Sequence, residues 1–382
     1  MSIRTRFAPS PTGFLHIGGL RTALYNYIFS LQNNGDFILR IEDTDQNRIV
    51  KNATEQLIKT LKKFNLKINE GPNHNENFGP YLQSKRLHLY KTYYEKLLNN
   101  GDAYICFEKG NELLPEYDHD KAKHKIDQQK YVVKLKIPNN ETLIIDDLIR
   151  GEVEFDLSLI DDPIIIKSDG FPTYHFANVI DDHLMKISHV IRGEEWLPSL
   201  PKHVLLYKYF NWTLPEFVHL PLLLNPDKSK LSKRQGDVHV EDFLNKGYLK
   251  DAIINYVALL GWHPSSNDEI FSISKLKKQF SLNRIQKGGA IFDIKKLNWI
   301  NSYYIKQLSN KDFKSYAAKF LKINNNTNFE IFCTYYQNRI NNFSELTEHY
   351  KLYIDRPMFN KDYKTILNLE SSQKIITYWL EN

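Results

Sequence analysis

Cysteine is nearly absent from this sequence, which has only two among 382 residues, Cys106 and Cys333. They lie far apart in the chain, so neither a disulfide framework nor a four-ligand zinc pattern can be built from them. A reducing compartment is the simpler interpretation. The N-terminus carries no apolar leader or Arg/Ser-rich transit segment, and no stretch is long and apolar enough to span a membrane. We therefore expect a soluble cytoplasmic protein.

A strong excess of either charge is also lacking. Lys and Arg number 51 against 45 Asp and Glu, which gives a formal net charge of +6. This mild basic excess permits a nucleic-acid partner but does not demand one. A hydrophobic fraction of 42% with 25% charged residues is ordinary for a globular protein, and the length allows several domains with a sizeable core.

The first sixty residues alternate strand-like and helix-like patterns. Residues 4–8 predict a strand, and apolar positions from Gly18 recur at helical spacing until Gly35 ends the helix. Residues 37–41 predict a second strand, and residues 57–61 lie in a second helix. Strand–helix alternation of this kind predicts a parallel α/β sheet.

The pattern changes further along the chain. Residues 104–166 are irregular, and within them residues 131–138 predict a strand of an antiparallel inserted domain. The α/β pattern resumes near Tyr174, and helical periodicity dominates beyond Arg234. The last seventy or so residues, rich in Lys, Asn and Tyr, predict a small helical domain with a polar face.

A first candidate phosphate site is the sequence Pro-Thr-Gly-Phe-Leu-His-Ile-Gly-Gly at positions 11–19. It lies where the first strand meets the first helix, and a helix N-terminus offers unpaired N–H groups and partial positive charge to a phosphate. Gly18 and Gly19 allow a ligand close to the backbone, and His16 can donate to a phosphate oxygen. The alternative is a tight Pro/Gly turn with a structural histidine.

A second candidate phosphate site is Lys-Leu-Ser-Lys-Arg at positions 230–234. Lys230 and Lys233, with Ser232 between them, can reach a triphosphate and neutralise charge that develops as pyrophosphate leaves. Alone, such a basic pentapeptide usually decorates a solvated surface. Together with the first site it predicts an ATP-binding enzyme, because a folded sheet can bring the two segments together.

Longer segments resemble the glutamyl-tRNA synthetases, members of the class I aminoacyl-tRNA synthetases. The matching segments are Arg-Phe-Ala-Pro-Ser-Pro-Thr-Gly at 6–13, Leu-Arg-Ile-Glu-Asp-Thr-Asp at 39–45, Gly-Pro-Tyr at 79–81 and a long run from 167 to 196. The resemblance fades after about residue 301. It implies a Rossmann-like parallel-sheet catalytic domain at 1–80 and 175–235, split by an α+β connective insertion at 81–174. A mostly helical stem-contact domain at 236–309 and a short helical anticodon-binding domain at 310–382 would follow.

The substrate of such an enzyme limits its pocket chemically. Free glutamate carries one ammonium and two carboxylates, so a selective site needs a fixed acid and at least one arginine fork. Glu42, at the end of the second strand, is placed to take the ammonium. Arg6 and Arg192 each follow β residues, although an intramolecular ion pair is an alternative for both.

The resemblance implies particular residues for each substrate. Those of the amino-acid pocket are Arg6, Ala8, Ser10, Glu42, Tyr174, Asn178 and Arg192, with Arg192 the best candidate for the side-chain carboxylate. Those of the ATP site are His16, Gly18, Gly19, Lys230, Ser232 and Lys233, of which His16, Lys230 and Lys233 act in catalysis. Glu195 and Trp196 lie near the same site in the family, although packing is the simpler interpretation of Trp196.

The implied reaction needs no acid–base pair. The glutamate carboxylate attacks the α-phosphate of ATP, and the enzyme positions the groups and stabilises the pentacoordinate state. Glutamate then passes to the terminal adenosine of tRNA(Glu), and the resemblance implies that activation depends on bound tRNA. ATP brings Mg²⁺ as part of the substrate, so Asp181, Asp182 and His183 are interpreted as an exposed acidic turn. Zinc-binding relatives use a cysteine cluster that the insertion lacks, so we predict no metal site. We also expect the protein to be a monomer.

The C-terminal half predicts how RNA is bound. Seven basic residues against one acid occupy positions 275–296, where the family's stem-contact domain would meet tRNA phosphates. Only about seventy residues follow Ser309, room for one of the two anticodon-binding domains of bacterial relatives. Whether tRNA(Gln) is also glutamylated stays open.

Three other functions fit parts of the pattern. A glutamyl-Q tRNA(Asp) synthetase would carry zinc cysteines and no anticodon domain. A glutaminyl enzyme shows an Asp-Asp-Thr-Asn type of turn where this chain has Glu-Asp-Thr-Asp at 42–45. A non-catalytic RNA-binding relative would have eroded phosphate sites, yet His16, Lys230 and Lys233 are all present.

Overall fold

The computed structural model describes residues 2–74, 77–231, 238–323, 327–354 and 368–381. The chain divides into two compact units by its internal contacts. The first is Met1–Asn245 with Leu249–Ile300, and the second is Lys246–Tyr248 with Asn301–Asn382. The finer domain boundaries expected from the sequence stay a prediction.

The first unit contains both strands and helices, and every regular element in the described part of the second unit is a helix. The strands are β1 (Arg4–Phe7), β2 (Asp36–Leu39), β3 (Ala103–Lys109), β4 (Glu112–Glu116), β5 (Tyr131–Leu135), β6 (Thr142–Asp147), β7 (Gly151–Asp156), β8 (Ile164–Ile166), β9 (His189–Gly193), β10 (Glu216–Leu220), β11 (Leu223–Leu224) and β12 (Ala290–Ile291). The helices are α1 (Ile17–Gln32), α2 (Ala53–Lys63), α3 (Leu87–Asn100), α4 (His119–Lys123), α5 (Tyr174–Leu184), α6 (Leu200–Tyr209), α7 (Val240–Asn245), α8 (Lys250–Ala258), α9 (Ile273–Gln279), α10 (Ile294–Lys306), α11 (Asn310–Leu321), α12 (Thr327–Tyr336), α13 (Glu345–Ile354) and α14 (Glu370–Glu381). In the described part of the chain, no helix has both the length and the apolar character needed to cross a membrane.

The central sheet of the first unit confirms the predicted parallel α/β fold. Its strand order is β2-β1-β9-β10-β6-β7. Every neighbouring pair is parallel except β6 with β7, which form an antiparallel hairpin. The carboxyl ends of β1, β2 and β9 therefore meet at one edge, and in such sheets this is the edge where ligands bind.

The range 81–174, predicted as an insertion, contributes to two sheets. Strands β3, β4, β5 and β8 form a separate four-stranded antiparallel sheet, as the alternating pattern predicted. The β6–β7 hairpin instead extends the central sheet, where Ile145 is buried against Phe217 and Val190. Residues 152–156 of the hairpin alternate polar and apolar side chains, and that pattern alone does not identify the sheet that such a strand joins.

The first helix follows the sequence prediction closely. It begins at its N-cap His16 and ends at Asn33. Leu20, Leu24 and Ile28 are fully buried, which is the apolar face that the helical spacing predicted. Gly35 then allows a close approach, because a Cβ there would lie 2.1 Å from the carbonyl oxygen of Ile3.

The second unit is helical in its described part. Phe313, Phe329, Phe332 and Phe343 are buried there, and Leu346 packs in the same unit. Ser309 caps α11 by accepting a hydrogen bond from the backbone N–H of Asp312, a contact that satisfies one of the donors left unpaired at a helix start. The predicted helical C-terminal part is therefore confirmed.

Candidate active site

A cavity of about 510 Å³ opens at the carboxyl edge of the parallel sheet. All seven residues predicted for the amino-acid pocket line it, together with two glycines of the first phosphate site. These are Arg6, Ala8, Ser10, Glu42, Tyr174, Asn178, Arg192, Gly18 and Gly19. The predicted residues therefore come together in one place, although they lie on strands and helices that are far apart in the sequence.

The cavity also contains charged residues that were not predicted from the sequence as site residues. Arg48 and Lys167 line it. The Lys167 ammonium donates to the carbonyl of Thr44 at 3.2 Å and contacts Asp169 at 3.0 Å. Lys167 opens the long matching run from 167 to 196, so its position there was the available signal.

A buried charge network lies at one wall of the cavity, which its members Arg6, Glu42 and Asn178 line. Arg6 donates from Nε and Nη2 to the two carboxylate oxygens of Asp182, at 3.0 and 3.1 Å. Arg40 donates from Nη1 to Asp182 at 2.7 Å and from Nη2 to Glu42 at 3.0 Å. Asn178 donates to the same Glu42 oxygen at 3.2 Å. For Arg6, the intramolecular ion pair considered from the sequence is thus present.

The prediction of an exposed acidic turn at Asp181 and Asp182 is wrong. Both lie within α5 and are fully or almost fully buried. Asp181 accepts from Arg86 at 2.6 Å and from Tyr90 at 2.8 Å. Burying two adjacent carboxylates is costly unless cations and donors surround them. Those partners lie about a hundred positions earlier in the chain, so the local sequence could not reveal them.

Two carboxyl groups of the network titrate in opposite directions. Burial would raise the pKa of Asp182, but the attraction of Arg6 and Arg40 holds that pKa below its ordinary value. Burial raises the pKa of Glu42 above its ordinary value, although Arg40 and Asn178 act against the rise. Asp182 is therefore held in its ionised form. The ionised form of Glu42 is less favoured, and an incoming cation would stabilise it.

Arg192 differs in its partners from Arg6 and Arg40. Its Nε donates to His219 at 3.0 Å, and its Nη1 contacts His203 at 3.0 Å and the Tyr174 hydroxyl at 3.3 Å. Its Nη2 is buried and has no hydrogen-bond partner among the described residues. In that same part of the chain no acid lies within ion-pair distance of Arg192, whereas Arg6 is paired with Asp182.

The two histidines that contact Arg192 are uncharged at neutral pH. Burial lowers the pKa of His203 well below its ordinary value, and the adjacent Arg192 lowers it further. Burial lowers the pKa of His219 to about 4, although the hydrogen bond to Asp147 opposes the change. Neither histidine was predicted from the sequence, because a lone histidine beside apolar residues carries no local signal of its role.

His16 caps α1 with its own ring. Its Nδ1 accepts the backbone N–H of Gly18 at 3.0 Å, so the neutral ring carries its proton on Nε2. The N–H of Ile17 donates to the carbonyl of Val238 at 2.8 Å. The prediction of unpaired amides at this helix start is therefore wrong for Ile17 and Gly18, because the folded chain already provides their acceptors.

The second phosphate site is described only in part. Lys230 is exposed and follows a turn closed by the hydrogen bond from Asn225 N to Ser229 O at 2.8 Å. Ser232 and Lys233 lie outside the described residues. Before them, Leu223 lies 3.5 Å from where a Gly18 Cβ would be. After them, residues 238 and 239 contact the start of α1, so the described chain on both sides of 232–237 lies against the first phosphate site.

No cluster of three or more His, Cys, Asp or Glu among the described residues is arranged to hold a metal ion. Cys106 and Cys333 are both buried and unpaired with one another. The expected absence of zinc stays a prediction.

The basic stretch at 275–296 is partly compensated by acids that precede it. Lys275 pairs with Asp268 at 2.9 Å, and Lys296 pairs with Glu269 at 2.6 Å. Arg284 donates to the backbone carbonyls of residues 263 and 264. Counting charges within the stretch alone overstated its positive charge, and its contact with RNA stays a prediction.

Comparison with known families agrees with this architecture. The model of the catalytic domain of class I tRNA synthetases (E and Q) matches residues 2–124 and 112–299. The chain therefore belongs to the class I tRNA synthetases of this group.

Individual relatives that match this chain are named as enzymes specific for one amino acid, glutamate. A glutamate–tRNA ligase of Chlorobaculum parvum is 52% identical over 332 residues, 80% of this chain and 66% of the relative. One of Chloroherpeton thalassium is 49% identical and covers 84% of this chain and 69% of its own length. A crystal structure of a glutamate tRNA ligase from Elizabethkingia meningosepticum in complex with its amino acid has a TM-score of 0.90 and 34% identity, covering 100% of this chain and 86% of that one. The chain spans about two thirds of the length of the first of these relatives.

Proposed function

We propose that this chain is a glutamate–tRNA ligase, which activates glutamate with ATP and transfers it to the terminal adenosine of tRNA(Glu). The observation that carries the proposal is the state of Arg192. It is a buried cation in a cavity wall, with no acidic partner among the described residues and with Nη2 unsatisfied. A buried charge without a counter-ion is costly, so such a site favours an anionic ligand group.

The roles of the charged residues follow from their existing partners. Asp182 already neutralises Arg6 in a bidentate pair, so Arg192 is the better anchor for the side-chain carboxylate of glutamate. Glu42 also accepts from Arg40, and it is the acid of the cavity wall that we assign to the substrate ammonium. The cavity wall thereby offers an acid for a cation and an arginine for an anion, which suits the ammonium and one of the two carboxylates of free glutamate.

ATP would bind beside the amino acid, over Gly18 and Gly19, which line the same cavity. In the proposed reaction a carboxylate oxygen of glutamate attacks the α-phosphorus, the bond to the bridging oxygen breaks, and pyrophosphate leaves with Mg²⁺ as part of the ATP substrate. His16, Lys230, Ser232 and Lys233 would stabilise the charge that develops on the phosphates. The ribose hydroxyl of the tRNA then attacks the adenylate carbonyl and releases AMP.

The relatives support this specificity by their names, and the Elizabethkingia structure was obtained with its amino acid bound. A monomeric state, a cytoplasmic location and the partner tRNA(Glu) stay predictions.

The function is tested by ATP–pyrophosphate exchange. Glutamate and glutamine are each assayed with and without tRNA(Glu), tRNA(Gln) and tRNA(Asp). We expect exchange with glutamate that requires tRNA(Glu). Exchange without tRNA would overturn the dependence on tRNA, and charging of tRNA(Asp) alone would favour the glutamyl-Q alternative.

A substitution at His16 should separate its two roles. Asparagine is as good an N-cap as any residue, so His16→Asn should keep the cap of α1 and change stability little. It removes the Nε2 proton, however. Losing one hydrogen-bond donor that stabilises the charge developing in the transition state lowers kcat by roughly 100- to 1,000-fold. His16→Ala should lose the same rate and also about 1 kcal/mol of stability. Urea unfolding and exchange kinetics measure both effects, and a wild-type kcat in His16→Asn would contradict the phosphate role.

The binding of glutamate should weaken at acid pH because of Glu42. Its pKa is raised by burial, so as pH falls it becomes protonated before an ordinary glutamate does and loses its attraction for the ammonium. As pH is lowered, the KM for glutamate should therefore begin to rise while the pH is still above about 4.3, the ordinary pKa of the substrate's own side chain. Glu42→Gln is the matched control, with a high KM that no longer changes over this range. A wild-type KM that stays constant down to that pH would refute the role of Glu42.

A further inference from the structure

Arg192 is held by three hydrogen-bond acceptors that carry no negative charge. Its strand neighbour His219, which lies opposite it in the β9–β10 register, accepts from Nε. His203 on α6 accepts from Nη1 through its Nδ1, and the Tyr174 hydroxyl accepts from Nη1 as well. These contacts use three of the five N–H groups of a guanidinium. The two that remain are both on Nη2, which has no partner among the described residues.

Both histidines are themselves held in one tautomer by a second contact. The Nδ1–H of His219 donates to Asp147 at 2.7 Å, which leaves its Nε2 as the acceptor for Arg192. The Nε2 of His203 contacts the Nδ1 of His175 at 3.1 Å, which leaves its Nδ1 as the acceptor for Arg192. The guanidinium therefore has a fixed plane and a fixed direction for Nη2.

Neighbouring arginines of the same unit show the alternative arrangement. Arg6 and Arg40 contact the carboxylate of Asp182, and Arg86 contacts that of Asp181. In each case the positive charge is neutralised inside the protein. An acid in place of either histidine would orient Arg192 equally well, but it would cancel the charge that a ligand carboxylate needs.

We propose that His203 and His219 are positioning residues for Arg192, which orient its guanidinium while leaving its charge available, and that they thereby select a carboxylate over the uncharged amide of the same shape. The inference rests on the proposed function, because it assigns Arg192 to the side chain of the amino-acid substrate. Glutamine is the matched competitor, since it replaces one carboxylate oxygen with an amide nitrogen.

The test compares two nearly isosteric substitutions. In His203→Asn the amide oxygen takes the place of Nδ1 as an acceptor, whereas His203→Asp offers the same acceptor with a negative charge. The full chain is assayed by ATP–pyrophosphate exchange with tRNA(Glu), and kcat/KM is measured for glutamate and for glutamine. We expect His203→Asn to keep the preference for glutamate and His203→Asp to reduce it by roughly tenfold or more, because hydrogen bonds and charges at such sites act on this scale.

The comparison with leucine separates positioning from folding. His203→Leu removes the acceptor, so the KM for glutamate should rise by roughly 10- to 100-fold while the KM for ATP changes little. His88→Asp is the control for added charge, because His88 lies exposed on α3 and outside the cavity. Equal preference ratios for His203→Asp and His203→Asn would overturn the inference.

The second histidine keeps the inference testable if His203→Asp does not fold. His219→Gln retains an acceptor for Nε of Arg192, whereas His219→Leu does not, so glutamate binding should be weakened only in the leucine variant. Equal binding in both would overturn the role of His219. A wild-type chain that fails to activate glutamate overturns the proposed function as well, whereas an active wild type with unaffected variants overturns only this inference.

Discussion

Replacing Arg192 with alanine is expected to abolish glutamate activation while ATP binding is retained. Removing one member of a buried, hydrogen-bonded charge pair costs about 2–5 kcal/mol or more, which corresponds to a loss of roughly 30- to 5,000-fold in affinity. The loss should fall on glutamate alone, because the residues that Arg192 contacts, His203, His219 and Tyr174, are not among those predicted to contact the phosphates. Exchange kinetics with varied glutamate, together with equilibrium binding of ATP, measure the two effects separately.

Two controls make the Arg192→Ala result specific. Lys91→Ala removes the same unit of positive charge from an exposed position on α3, where Lys91 pairs with Glu95. It should leave the KM for glutamate and the Kd for ATP unchanged. Arg192→Lys keeps the charge but loses the planar fork, so its activity with glutamate should lie between those of Arg192→Ala and the wild type. Near-normal turnover by Arg192→Ala would remove the basis for the assignment of glutamate.

The largest expected effect on stability is at Asp182. Asp182→Ala leaves Arg6 without its bidentate partner and Arg40 with one of its acids removed, and both guanidiniums are buried. Breaking a buried pair by removing one partner typically lowers the free energy of unfolding by about 3–5 kcal/mol. Urea-induced unfolding, monitored by a signal that reports on the first unit, measures this change.

An exposed aspartate offers the matched comparison for Asp182→Ala. Asp120 pairs with Lys123 at 3.1 Å on the surface, and removing such a pair changes the free energy of unfolding by about 1 kcal/mol or less. If Asp182→Ala were no more destabilising than Asp120→Ala, the network would contribute little to the fold. Arg192→Ala should destabilise far less than Asp182→Ala, because it removes a charge that no acid among the described residues neutralises.

The parts of the fold set by local chemistry were predictable from the sequence. The spacing of Leu20, Leu24 and Ile28 predicted α1, and all three are buried. Residues 4–8 and 37–41 predicted two strands, and both lie side by side in the parallel sheet. Each of these predictions depends on a periodicity that a few consecutive residues contain.

Interactions between distant residues were not predictable in the same way. Asp181 and Asp182 were predicted to form an exposed turn. The arginines that neutralise them in the interior come from β1 and from residues 40 and 86, so no neighbouring residue indicated their burial. The β6–β7 hairpin read as part of the insertion, because alternation does not say which sheet a strand joins. His203 and His219 had no signal, since their role depends on one guanidinium that lies between them.

The pocket lies between these two cases. Its seven residues could be named because their motifs resemble a family, and all seven line one cavity. The chemistry of glutamate alone required an acid and an arginine, but it did not distinguish Arg6 from Arg192. The resemblance favoured Arg192, and the folded arrangement supplies the physical reason, because Asp182 neutralises Arg6 whereas two uncharged histidines hold Arg192.

The most direct test of the proposed function is the transfer of labelled amino acid to the 3′ end of tRNA. Purified full-length protein is incubated with ATP, Mg²⁺, and either labelled glutamate or labelled glutamine. The tRNAs are tRNA(Glu), tRNA(Asp) and a tRNA(Glu) that lacks its terminal adenosine. We predict glutamate on intact tRNA(Glu) and none on the truncated tRNA. Glutamine transfer, or glutamate on tRNA(Asp) alone, would contradict the proposed function.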